Sequence, residues 1–244
     1  MNLVAYLQDN KYKHELEEAA NYLNIEIVSE QPTKNSFISY DRNGLYFIYI
    51  SSSYSKKLHI DFLSGSMGWR LKRTDHEKLL KKTLGKTKEI LNIFDGTAGL
   101  LSDSLIFLSL GHNVVACEQS KILFLLVKDA CNRAKTNLPF LANLKLKQGN
   151  SHEIYIYEKD LDVIYLDPMY PKIKRNTLRS GNINLIRSIL ELEEIKDLEE
   201  GIVKKFFETD YKKIILKRPI KAQKVCSNIN YQVKGKSTRF DIYI

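Results

Sequence analysis

Residues Asp167-Pro168-Met169-Tyr170-Pro171 combine the side chains needed to hold a planar amine. They follow the apolar run Val163-Ile164-Tyr165-Leu166, which predicts a buried strand. At the carboxyl end of such a strand, the Asp167 carboxylate can accept a hydrogen bond from an exocyclic N–H. The carbonyl of Pro168 can accept a second, and the proline ring stiffens the turn. Tyr170 offers a face on which a nucleobase can stack. The amine of guanine, adenine or cytosine is a poor nucleophile because its lone pair is shared with the ring. Two acceptors on its hydrogens draw the nitrogen toward a tetrahedral, attacking geometry. Alone, the motif also fits an ordinary strand end closed by an Asp-Pro turn.

A second group of residues points to a bound cofactor. Ile90 to Phe94 predicts a strand and Leu100 to Leu110 a helix, with Asp95-Gly96-Thr97-Ala98-Gly99 between them. Glycines at a strand-to-helix turn let the backbone approach a ligand closely. The dinucleotide fingerprint needs a third glycine, and a P-loop needs Gly-Lys-Ser/Thr; neither is present. This disfavours a nucleotide-dependent oxidoreductase. Asp95 beside Gly96 and Gly99 suits a ligand with an ammonium and a positive sulphur, such as S-adenosylmethionine. Val114 to Glu118 predicts the next strand, and its acidic end lies about 20 positions after the loop, the usual place for a ribose-hydroxyl acceptor. Glu118 also fits a solvated strand-end charge.

The elements that must position these residues fall into two parts. In residues 1–73, strands are predicted at Val4 to Leu7 and Glu26 to Val28, around a helix at His14 to Leu23. Phe37 to Tyr40 and Leu45 to Ile50 form a hairpin about Asn43-Gly44, and Leu58 to Phe62 is a further strand. Residues 74–244 open with a Lys-rich helix at Asp75 to Leu84. From Ile90, strands alternate with helices, the pattern of a parallel sheet. The later strands are Leu144 to Gln148, Val163 to Leu166 and Lys213 to Lys217. Helices are expected at Lys121 to Lys135, Leu185 to Leu198 and, in part, Gly201 to Glu208. Tyr231 to Val233 and Arg239 to Ile244 form a terminal hairpin.

The chain resembles the class I methyltransferases. More narrowly, it resembles the RsmJ-type enzymes, which methylate N2 of a guanine in bacterial small-subunit ribosomal RNA. The resemblance is carried by HIDFLSGSMGWRLKR at 59–73, FDGTAGLLSD at 94–103, CEQS at 117–120, GNS at 149–151, IYLDPMYP at 164–171, ILKRP at 215–219 and KGKSTRFDIY at 234–243. It implies an α/β fold: a Rossmann-like, mostly parallel class I methyltransferase sheet with a C-terminal antiparallel hairpin. A small N-terminal α+β subdomain at 1–73 would precede a catalytic domain at 74–244. It implies cofactor contacts at Ser102, Asp103, Glu118, Gln119, Asn150, Ser151 and Asp167. The family usually has Gly-Arg-Asp where this chain has Leu101-Ser102-Asp103, and a His-Arg-Arg-Lys stretch is represented by Trp69-Arg70-Leu71-Lys72. The reaction expected is in-line transfer of the sulphonium methyl to an amine, with Asp167 orienting the amine, Pro168 and Tyr170 completing the turn, and no metal.

Charge is consistent with a nucleic-acid partner. The 244 residues carry 38 basic and 29 acidic side chains, a net charge of +9, which attracts polyanions. A Lys-, Asn-, Ile- and Tyr-rich composition also follows from low-GC coding. Lys172, Lys174, Arg175 and Arg179 follow the catalytic turn, and Lys217-Arg218 ends a strand; both groups are candidates for RNA phosphate. Trp69 with its neighbouring cations is a third such surface, or a filler between the two parts, the reading slightly preferred. The three cysteines match no disulfide or zinc pattern, and the five histidines form no ligand pair. No signal peptide or membrane span is legible. The expected setting is the cytoplasm, with small-subunit ribosomal RNA or its precursor particle as partner. Alternatives are methylation of an amine on another nucleic acid or a protein, or a non-catalytic RNA-binding assembly factor on the same fold.

Overall fold

A computed structural model describes residues 3–86, 88–168, 181–195 and 200–244. Met169, Tyr170, Pro171, Lys172, Lys174, Arg175 and Arg179 lie outside the described residues. In chain order the elements are β1 (Leu3–Tyr6), α1 (Lys13–Leu23), β2 (Ile27–Val28), β3 (Ser36–Asp41), β4 (Gly44–Ile50), β5 (Ser55–His59), α2 (Gly65–Leu71) and α3 (Lys78–Leu84). They continue with β6 (Asn92–Asp95), α4 (Ser104–Ser109), β7 (Asn113–Glu118), α5 (Lys121–Ala134), β8 (Leu144–Gln148), α6 (Ser151–Tyr155) and β9 (Val163–Leu166). The last are α7 (Gly181–Leu192), α8 (Glu200–Phe207), β10 (Ile214–Pro219), β11 (Tyr231–Lys234) and β12 (Thr238–Tyr243).

By contacts the chain forms two compact units. One comprises the described residues within Met1–Phe62, Ser120–Thr136 and Lys172–Lys196; the other those within Leu63–Gln119, Asn137–Pro171 and Asp197–Ile244. The division of the sequence at residue 73 is a proposal about continuous segments, whereas these units interleave along the chain.

The first unit holds a five-stranded sheet in the order β2-β1-β3-β4-β5. β1 pairs in parallel with β2 and β3, and β3, β4 and β5 form an antiparallel meander. Helix α5 docks here through Asp129. Its carboxylate accepts from the Tyr40 hydroxyl at 3.2 Å, from the Leu45 N–H at 3.1 Å and from Arg133 Nε at 2.8 Å. Arg133 in turn donates to the Ile60 carbonyl at 2.5 Å. Ser120 caps α5 by accepting from the Leu123 N–H at 3.0 Å, and Glu193 accepts from the Lys121 N–H at 2.8 Å. A carboxylate at a helix start satisfies orphan donors and the dipole together.

The second unit holds a seven-stranded sheet in the order β11-β12-β10-β9-β6-β7-β8. Strands β8, β7, β6, β9 and β10 are mutually parallel, while β12 runs antiparallel between β10 and β11. This is the expected Rossmann-like order, with the reversal between β6 and β9 that opens a crevice at the strands' carboxyl ends. The apolar runs that predicted parallel strands are buried, as a sheet covered on both faces requires. Phe94, Val115, Ile164, Leu166, Leu216 and Phe206 meet in one cluster of this core.

Several boundaries differ from the sequence reading. β6 begins at Asn92, and Ile90 is exposed, because Asn92 is the first residue paired with β7. α4 begins only at Ser104, since Gly99 and Leu101 both take positive φ, +50° and +57°. α3 starts at Lys78 after a single 3₁₀ turn over Thr74–His76, and neither Thr74 nor Asp75 caps it. Helices α2 and α6 were not foreseen; each is short, and helices of that length draw their stability from packing.

Candidate active site

The expected site residues of the second unit converge at the carboxyl ends of the parallel strands. Backbone hydrogen bonds stitch the loops there together. Gly96 N donates to the Tyr165 carbonyl at 3.1 Å, Ala98 N to the Cys117 carbonyl at 3.0 Å and Gly149 N to the Glu118 carbonyl at 3.0 Å. The Asp167 N–H donates to Thr97 Oγ1 at 2.6 Å, tying the turn after β9 to the glycine loop.

The two glycines of that loop do different work. A Cβ on Gly96 would lie 2.9 Å from Leu166 Cδ2 and 3.3 Å from the Phe206 ring, so Gly96 is required by packing. Gly99 has φ +50° and an open side, the nearest heavy atom to a Cβ being Thr97 O at 3.9 Å. Gly99 alone therefore suits close approach of a ligand. Leu101 holds a left-handed φ, at a cost of about 1–2 kcal/mol, and is anchored by complete burial of its side chain.

Asp95 ends β6 as a buried carboxyl. It accepts from Thr97 N at 3.0 Å and from Ser104 Oγ at 2.5 Å. Burial, with the nearby Asp103 and Asp167, raises its pKa to about 7 despite those two donors.

Asp103 is the hub of an ionic cluster. Its Oδ1 accepts from Arg70 Nη2 at 2.8 Å, and its Oδ2 from Lys217 Nζ at 2.7 Å and the Tyr165 hydroxyl at 2.5 Å. Burial opposes its charge, but Lys217 and Arg70 outweigh this and hold its pKa at about 2. Arg70, on α2, also grips Glu77 at 2.6 and 2.9 Å and the Ser102 carbonyl at 2.7 Å. Lys217 Nζ lies 2.8 Å from Asp167 Oδ2. The Asp167 side chain is 34% exposed. Burial and Asp103 raise its pKa, while Lys217 and Arg70 oppose that rise.

Three expectations are corrected by these positions. Asp103 spends its carboxylate on protein donors and is not available as the carboxylate contact to a cofactor. Lys217, expected to reach RNA phosphate, is bound between Asp103 and Asp167. Arg218 is buried and donates to the Gln223 carbonyl at 3.0 Å, so it is not a surface cation. A strand-end Lys-Arg pair carries the same local signature whether it meets solvent or a neighbouring strand. Trp69 corrects a fourth: it is 60% exposed with the Arg73 guanidinium stacked 4.6 Å from its ring centre, so it fills no core. Arg70 was missed as a member of the cluster, and only its place in the 59–73 motif hinted at it.

The remaining donors line the ends of β7 and β8. Glu118 is buried at the carboxyl end of β7, and the Gln119 carbonyl accepts from Gln148 Nε2 at 2.9 Å. Asn150 caps α6, its Oδ1 accepting from His152 N at 3.0 Å and Glu153 N at 3.4 Å. Ser151 is buried, and its Oγ has no hydrogen-bond partner among the described residues. An orphaned buried hydroxyl, an open glycine at Gly99 and acids at Glu118 and Asp95 match the donor and acceptor needs of S-adenosylmethionine. Glu118→Ala is expected to weaken S-adenosylmethionine binding by roughly 1–3 kcal/mol, the scale of a hydrogen bond to a charged group. Titration calorimetry measures it, and unchanged affinity in the folded variant removes Glu118 from the ribose role.

Comparison with known proteins agrees with this geometry. The family described as "Putative SAM-dependent methyltransferase" matches residues 20–244. The ribosomal RNA small subunit methyltransferase J of Desulfotalea psychrophila is 28% identical over 237 residues, covering 93% of this chain and 90% of that protein. The enzyme of that name from Francisella tularensis subsp. novicida is 31% identical over 196 residues, covering 78% and 80%. The crystal structure of a SAM-dependent methyltransferase from Neisseria gonorrhoeae superposes with a TM-score of 0.71 at 26% identity, over 99% of this chain and 95% of that one. With its sheet order, its glycine loop and its strand-end acids accounted for, the chain belongs to the SAM-dependent methyltransferase family, alongside the small-subunit ribosomal RNA methyltransferases J, and its cofactor is S-adenosylmethionine.

Proposed function

We propose that this enzyme methylates the exocyclic N2 amine of a guanine in small-subunit (16S) ribosomal RNA, in the cytoplasm. The observation that carries the reading is the Asp167 carboxylate. It stands at the carboxyl end of β9, fixed through its own N–H by Thr97 and through Oδ2 by Lys217, and it is partly open. The names of the relatives support the choice of RNA. So does the exposed Trp69–Arg73 pair on and after α2, which offers a base-stacking face beside positive charge.

When bound, the cofactor supplies an electrophilic methyl on a positive sulphur. Glu118, Ser151 and the backbone at Gly99 are the residues proposed to hold it. Asp167 accepts a hydrogen bond from the target amine and draws its lone pair out of the ring. The bound cofactor would give up its methyl to the amine nitrogen, the C–S electron pair staying with sulphur, and Asp167 or water would take the proton that the nitrogen sheds. Position and electrostatics supply the acceleration. A guanine paired in a helix must first be unstacked. The direct test is mass mapping of small-subunit RNA from a strain lacking the gene, before and after incubation with enzyme and labelled cofactor. A fully modified RNA in the deletion strain rejects the assignment.

The cations after the catalytic turn are proposed to touch RNA phosphate. Neutralising Lys172, Lys174 and Arg175 together is expected to weaken RNA binding and reduce the slope of log affinity against log salt by about 2–3. Cofactor affinity should not change. A parental salt slope makes these residues a solvated loop only.

A further inference from the structure

We propose that Lys217 is a positioning residue for methyl transfer: held by Asp103, its ammonium pins one oxygen of Asp167 and leaves the other to receive the substrate amine. The proposal rests on the reading of Asp167 as the group that orients that amine.

The topology makes the pairing specific. β9 and β10 are parallel neighbours whose last paired residues are Leu166 and Leu216, so Asp167 and Lys217 are the next residues on adjacent strands. Lys217 Nζ lies 2.8 Å from Asp167 Oδ2 and 2.7 Å from Asp103 Oδ2. Asp103 is itself immobilised, by Arg70 on Oδ1 and Tyr165 on Oδ2. Lys217 therefore cannot swing to solvent without costing the buried Asp103 carboxylate one of its two cations. The Lys217 contact engages Asp167 through Oδ2, and the Asp167 side chain remains 34% exposed. A carboxylate with one oxygen clamped has a single orientation for the other, which is what an amine acceptor needs.

The same contact sets the charge state. Facing Asp167 are Lys217 from β10, Asp103 from the turn before α4, Arg70 from α2, Tyr165 from β9 and Asp95 from β6. The two carboxyls and partial burial favour a neutral Asp167; Lys217 and Arg70 favour the anion. The proton lost by the methylated nitrogen passes to the anionic Asp167 and then to water, while Lys217 remains protonated throughout.

The test is single-turnover methyl transfer by Lys217→Met and Lys217→Arg from pH 5.5 to 9, beside cofactor calorimetry and thermal melting. Lys217→Met is expected to slow transfer at pH 7 by a factor of about 30, and to move the acid limb of the pH–rate profile up by about one unit. Losing the cation makes Asp167 harder to ionise, so the limb moves to higher pH. Titration of Asp95 adds the same inflection to parent and variant, and an Asp95→Asn background removes it. Lys217→Arg should restore the parental profile and most of the rate, and cofactor affinity should stay within about threefold. If Lys217→Met does not fold, Asp103→Asn/Lys217→Met is compared with Asp103→Asn alone, so that the effect of the Asp103 carboxyl on Asp167 cancels and the same upward shift is expected. A pH profile superimposable on the parent's overturns the proposal. Asp167→Ala in the same assay separates the two readings: a near-parental rate there rejects Asp167 as the amine acceptor, whereas an inactive Asp167→Ala with an unmoved Lys217→Met profile rejects only Lys217.

Discussion

Asp167→Ala is expected to lower single-turnover methyl transfer by a factor on the order of 100 or more, about 2.7 kcal/mol of transition-state stabilisation. The fold should persist. The Asp167 backbone N–H still reaches Thr97 Oγ1, and the side chain is partly open rather than packed into the core. Removing it does leave Lys217 with one carboxylate fewer, but Asp103 continues to neutralise it. RNA and cofactor affinities should change little, which assigns the loss to chemistry. Asp167→Asn keeps an acceptor oxygen and is expected to fall between Ala and parent. The measurement is transfer of a labelled methyl to under-modified small-subunit RNA with enzyme in excess. A near-parental rate for the Ala variant would remove the central argument for amine methylation.

Asp103→Ala is expected to be the more damaging change to stability. It strips a buried cluster of the carboxylate that joins Arg70, Lys217 and Tyr165. Breaking one partner of a buried ion pair costs about 3–5 kcal/mol because the remaining charge stays desolvated. Glu77 still serves Arg70, and Asp167 still serves Lys217, which places the expectation at the lower end. Urea denaturation of parent and variant reads the difference, and a loss under about 1 kcal/mol would show a solvated cluster of small worth. The pH dependence has a definite sign. The folded pKa of Asp103, about 2, lies below its ordinary value of 3.8. Its contribution is therefore fully present above pH 4 and lost as pH falls through 2, at roughly 2–3 kcal/mol for the whole shift. Asp95 runs the opposite way. With a folded pKa near 7, it favours the fold below pH 4 and loses that contribution as pH rises through 7. Asp103→Ala should accordingly flatten the acid side of the stability profile and, because Asp103 helps to raise Asp95, move the Asp95 limb to lower pH.

What the sequence determined by itself is local in kind. Apolar runs of four residues, such as Val163–Leu166 and 114–117, are read as strands because buried parallel strands need continuous apolar surface. The strand–glycine turn–helix at Asp95–Gly99 and the acid ending β7 are likewise legible, since each depends on neighbours a few positions away. Their order along the chain was enough for the fold and the cofactor. The tertiary structure alone decided which charges meet. Asp103 and Lys217 are 114 positions apart, and they pair only because the strand order sets β10 beside β9 and β9 beside β6. A lysine at a strand end has one local signature and two fates, phosphate contact or buried counter-ion, and strand order chooses between them. The same holds for α5. Its amphipathic pattern, with Ile122, Leu126 and Ala130 buried, announces a packed helix but not the surface it packs against. The choice of the five-stranded sheet rests on Asp129 finding Tyr40 and the Leu45 N–H, a contact between residues more than eighty positions apart that no local propensity encodes. Short-range pattern carries backbone geometry, because φ and ψ respond to adjacent residues. Electrostatic partnership depends on distance in space, which only the folded chain supplies.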